Sequence, residues 1–67
     1  MNNLKQILEK QGMTQTDLAI KAGLTASAVS MIVRGQRCQK VTARKIAKAL
    51  TVKPLSAFPD FDQLTGE

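Results

Sequence analysis

Lys21, Arg34, Arg37, Lys40, Arg44, Lys45, Lys48 and Lys53 all fall between Leu18 and Pro59, a span that holds no acidic residue. Ammonium and guanidinium groups gathered without counter-charges suit ionic contact and hydrogen bonding to a polyanion such as nucleic acid. The 67-residue chain carries a net charge of +5 and has a pI near 9.9. The plainer reading is a solvated basic surface, but an unbroken run of one sign favours a polyanionic partner.

Other chemistries are poorly supplied. The chain has no histidine and one cysteine, Cys38. That excludes a zinc site built from Cys and His within one chain, and Cys–His or Ser–His nucleophilic catalysis. No convergent acid, base or nucleophile is visible, so no enzyme activity, cofactor or metal is expected, and no small-molecule ligand is evident. A lone cysteine forms no internal disulfide, which fits a reducing cytosol. Beyond the nearby bases nothing suggests activation of Cys38, so an incidental thiol is expected rather than a redox sensor or inter-subunit bridge. No apolar run approaches the length of a membrane span, and the start lacks a signal-peptide core. The expectation is a cytoplasmic protein with no membrane partner.

The elements that position these cations are organised around Thr14–Gly35. Thr14 can cap one helix, with Asp17 as the acidic half of a capping box, and Met13 and Leu18 have hydrophobic-staple spacing. Thr25 can cap a second helix, and Leu24 and Val29 repeat the staple. Gly23 lies between them, where a sharp turn needs positive φ. Ala19 and Ala22 are small enough to let the helices cross closely. Helix, tight turn, helix is a layout used in DNA recognition.

The second of these helices is two-faced. At about 100° per residue, Val29 and Ile32 share one side, while Ser27, Ser30, Met31 and Arg34 share the other. The first pair would seat the helix on the core. The second set is short and uncharged until Arg34, where a structural surface helix more often carries Glu and Lys. Short side chains suit entry into a groove about 12 Å wide.

With Gln15, Leu18, Ala19, Gly23, Thr25, Val29, Ile32 and Gly35 at their spacings, the chain resembles the Cro and phage-repressor (lambda-repressor-like) helix-turn-helix family. The resemblance continues through a later helix ending in Ala47, Ala49 and Leu50, and covers about Leu4 to Phe58. It implies an all-α, compact five-helix domain with the helix-turn-helix at helices 2 and 3. It also implies binding of double-stranded operator DNA, usually as a symmetric homodimer. On that reading Thr25, Ala26, Ser27, Ser30 and Met31 meet base edges. Gln15, Arg34, Gln36, Arg37, Lys40 and Arg44 meet phosphates. Relatives often read bases with Gln, Asn or Arg where this chain has Ala26, Ser27, Ser30 and Met31, so direct discrimination should be modest and DNA shape should matter more. Some relatives also reach the minor groove with an arginine; Val41 stands at the closest position, and that contact is not expected.

The remaining chain flanks this centre. Asn2 or Asn3 can cap a first helix with Leu4, Ile7 and Leu8 as its stripe, ending at Gly12. Thr42 can cap a fourth helix, with Val41 and Ile46 as a staple, Ala43, Ile46, Ala47 and Leu50 inward, and Arg44, Lys45 and Lys48 outward. Pro54 suits the start of a short fifth helix, Leu55 to Phe58. The domain is expected over residues 1–58. Residues 59–67 form an acidic tail, read as loose or at a dimer interface. Leu55 and Phe58 suit either that interface or the monomer core, and Phe61 and Leu64 could pack on a second subunit. A chain this short buries about 60% of its unfolded surface, so a partner would add to its stability. The expected function is a transcriptional regulator acting as a repressor. The alternative is a protein-interaction module, such as an antitoxin or antirepressor, for which Met31, Val33, Phe61 and Leu64 would serve as apolar contacts.

Overall fold

Local chemistry sets most of the helix ends. The computed structural model describes residues 2–66; Met1 and Glu67, the outer ends of the expected domain and tail, lie outside them. The described residues form helices α1 Leu4–Gln11, α2 Gln15–Ala22, α3 Ala26–Val33, α4 Lys40–Leu50 and α5 Pro54–Ala57, then a 3-10 turn at Phe61–Gln63, with no strand among them. At Thr14 the capping box is complete: its Oγ1 accepts from the Asp17 N–H at 3.1 Å, and the Asp17 carboxylate accepts from the Thr14 N–H at 3.2 Å. Thr25 Oγ1 accepts from the Ala28 N–H at 3.0 Å. Each bond satisfies a backbone donor that the first helical turn leaves open.

Gly23 takes φ 71°, the Leu24 N–H donates back to the Ala19 carbonyl, and the helix axis turns by 117° between α2 and α3. α2 packs on both α3 and α4. Leu18, Val29, Ile46 and Leu50 from these helices and Leu4 from α1 are fully buried in the core. No single helix among the described residues is long and apolar enough to cross a membrane.

Helix ends are also satisfied across the sequence, which no local pattern reveals. Asn2 Oδ1 accepts from the Leu4 N–H while its Nδ2 donates to the Ile32 carbonyl at 2.7 Å, tying the chain start to the end of α3. Gln11 Nε2 donates to the Leu50 carbonyl at 2.7 Å, closing the end of α4. Thr51 ends α4 in the left-handed region at φ 59°, with the Val52 N–H returning to the Ala47 carbonyl. That is the conformation glycine adopts after α1 and α2, held here by a β-branched residue at a cost of about 1–2 kcal/mol.

Three expectations change. The segment after Pro59 is not loose: Leu64 is buried in the core, Phe61 packs against it, and the Thr65 carbonyl accepts from the Lys40 N–H at 2.6 Å. That carbonyl satisfies the first open donor of α4, so the helix begins at Lys40 and Thr42 lies inside its first turn instead of capping it. Of the two residues that suited either the core or an interface, Phe58, only 3% exposed, packs in the core of the single chain, whereas Leu55 on α5 is exposed.

Candidate nucleic-acid interface

α3 presents the two faces expected of it. Val29 is fully buried and Ile32 nearly so, and they fix the helix on the core. Ala26, Ser27 and Met31 are exposed, and Ser30 is half-buried at the border. Thr25 is exposed as well, but its hydroxyl oxygen already accepts the Ala28 N–H, so toward a base it can offer chiefly its proton and its methyl group. The face is therefore short, weakly polar and bounded at its far end by the exposed Arg34.

Beyond α3 the chain turns sharply. Gly35 sits at φ 112°, and the Gln36 N–H donates to the Met31 carbonyl at 3.1 Å. This closes α3 and sets Gln36 and Arg37, both exposed, just beyond the end of that helix. Lys40 then opens α4 and Arg44 follows four residues on, one helical turn along the same side. A groove of about 510 Å³ runs between α3 and the start of α4, lined on the α3 side by Ala28, Met31 and Ile32 and on the other by Arg37, Gln39 and Thr42. Gln39, Thr42 and Thr65, which also lines it, are positions that sequence reasoning did not assign to the site. Thr42 could have been found had the start of α4 been placed three residues earlier. For Thr65 no local signal exists.

The tail lies against the loop cations. Lys40 Nζ is 5.7 Å and the Arg44 guanidinium carbon 5.6 Å from the centre of the Phe61 ring. Arg37 Nη2 reaches the Gln63 carbonyl at 3.5 Å, a long and weak contact. The structure thus gathers Arg37, Lys40 and Arg44 around one short segment. Gln15 is separate from them in the chain and exposed in the first turn of α2, where open backbone donors and the helix dipole favour anions. Its neighbour Asp17 stays ionised, because the Thr14 backbone N–H and then the Thr14 hydroxyl hold its carboxyl below the usual carboxylate range.

Cys38 is half-buried between α3 and α4, and burial, followed by the charge of Asp60, pushes its thiol above its ordinary value. A thiol shifted in that direction is a poor nucleophile at neutral pH. No cluster of three or more His, Cys, Asp or Glu that could hold a metal occurs among the described residues. Of the apolar residues that would serve a protein partner, Leu64 is buried and Val33 and Phe61 pack on the core, which leaves Met31, 44% exposed.

A family model described as helix-turn-helix matches residues 4–56. No curated protein and no solved structure matches.

Proposed function

Because the chain belongs to the DNA-binding helix-turn-helix family of the Cro and phage-repressor type, we propose that it is a transcriptional repressor that binds a palindromic operator as a homodimer. Two copies of α3, related by a twofold axis, would enter successive major grooves about 34 Å apart. Repression would follow from occupying a promoter. The observation that carries this reading is the make-up of α3: an exposed face of Ala26, Ser27 and Met31 set opposite buried Val29 and Ile32, with Arg34, Arg37, Lys40 and Arg44 following it.

In this reading Thr25, Ala26, Ser27, Ser30 and Met31 meet the base edges. Serine bonds to several bases, and Ala26 and Met31 offer apolar contact to a thymine methyl, so direct readout is tolerant. DNA shape and deformability then carry much of the specificity. Gln15, Arg34, Gln36, Arg37, Lys40 and Arg44 contact phosphates and set the register of the protein on the duplex. Of the residues expected at a contact between subunits, Leu55 is exposed on α5 and Phe61 is half-buried. Selection of bound duplexes from a random pool tests the whole proposal. Two inverted half-sites one helical turn apart are expected. Enrichment of a single asymmetric site, or no enrichment, would refute the dimeric operator reading.

A further inference from the structure

We propose that Phe61 is a positioning residue for DNA binding: its ring holds Lys40 and Arg44 in place at the start of α4, so that both cations meet the phosphate backbone already ordered. The proposal rests on the reading of Lys40 and Arg44 as phosphate contacts. Both cations lie within the range of about 6 Å over which a ring face attracts a positive charge. They also sit four residues apart on one helix, where like charges repel each other. An aromatic ring within reach of both offsets that repulsion through its negative π-face. The ring adds no charge.

The ring can do this because its own segment is fixed. The Phe61 N–H donates to the Phe58 carbonyl at 2.9 Å, Leu64 is buried in the core, and the Thr65 carbonyl accepts from the Lys40 N–H. Gly66, at φ 77°, lies so close to Gln39 that a Cβ there would come within 2.8 Å of the Gln39 side chain. The tail is thus held on the loop at both ends of the ring, and the ring is held against α4. Lysine and arginine side chains carry much rotamer entropy, which DNA would otherwise remove on binding. The ring removes part of it when the chain folds.

The test uses the full chain, a random-sequence duplex and a salt series. Phe61→Leu keeps the apolar packing and removes the ring. It is expected to weaken binding about five- to tenfold, because DNA would then have to order both long side chains itself, with the slope of log affinity against log salt unchanged because both cations remain. Phe61→Tyr keeps the π-face and should bind as the unaltered chain does. In a Lys40→Ala/Arg44→Ala background, Phe61→Leu should have no further effect. Binding by Phe61→Leu equal to that of the unaltered chain overturns the proposal, as does the same loss in the background lacking both cations. Should Phe61→Leu not fold, the Lys40 and Arg44 side-chain protons of the unaltered chain decide by NMR: ring-current shifts upfield support the proposal, and random-coil positions overturn it. Failure of the DNA reading itself looks different, since the unaltered chain would then bind no duplex at any salt, and the proposal would fall with it.

Discussion

Val29→Ala and Met31→Ala remove apolar atoms two residues apart on α3 and are expected to act on different properties. Val29 is fully buried. Its two deleted methyl groups forfeit about 1.6 kcal/mol of transfer free energy, and the unfilled space brings the total to about 2–3 kcal/mol. A chain of this size has about 3–10 kcal/mol of total stability, so the loss is large, and at about 4–8 °C per kcal/mol the Tm should fall by about 10–20 °C. Met31 is 44% exposed and borders an open groove, so its truncation leaves no closed cavity. Its stability should change by no more than about 0.5 kcal/mol. Instead, affinity for a selected operator should drop by about 1 kcal/mol and discrimination should relax at one base position, with random duplex bound as before. Circular-dichroism melts and titrations of both DNA types on the two variants make the comparison. If Met31→Ala lowers Tm as much as Val29→Ala does, Met31 is core and α3 does not present the face assigned to it.

Three further outcomes are expected. Arg34→Ala and Arg37→Ala should each weaken operator and random duplex alike and make the salt slope shallower by about 1 for each phosphate no longer neutralised, while Lys5→Ala and Lys10→Ala on α1 should change little; equal weakening by the α1 variants would mean that the wrong face has been assigned. Thr51→Gly should raise stability by about 1 kcal/mol in denaturant unfolding, since glycine accepts the left-handed conformation at that helix end without the Cβ penalty, and a fall in stability would contradict that assignment. Asp17 has a folded-state pKa below its unfolded one, so its contribution is present above the unfolded value of about 3.9 and disappears as pH falls through the lower folded value. Asp17→Asn should therefore shrink the fall in Tm between pH 7 and strongly acidic solution, and an unchanged acid limb would remove Asp17 from that role.

What could be read in the sequence was what is settled within a few residues. Thr14, Asp17, Gly23 and Thr25 act on partners three to five positions away, and the structure places each as its spacing implies. The faces of α3 follow from the helical period alone. The start of α4 could not be read that way, because the group that satisfies Lys40 is the Thr65 carbonyl, 25 residues later. The same distant contact explains why the acidic tail looked loose: Phe61 and Leu64 show no helical period, and they find their places only against α4 and the core. Phe58 was ambiguous because an apolar residue near a chain end suits a core or an interface equally, and only the packing decides. Thr51 gave no warning of its left-handed conformation. At the candidate site the cations were legible one by one, but their gathering around a ring from the tail was not.

The measurement that bears most directly on DNA binding through this surface is the affinity for random-sequence duplex across a series of salt concentrations. If two subunits together neutralise about eight phosphates, log affinity should fall with log salt at a slope near −7. A slope near zero, or no binding at low salt, would contradict the assignment of the acid-free span from Leu18 to Pro59 to the phosphate backbone.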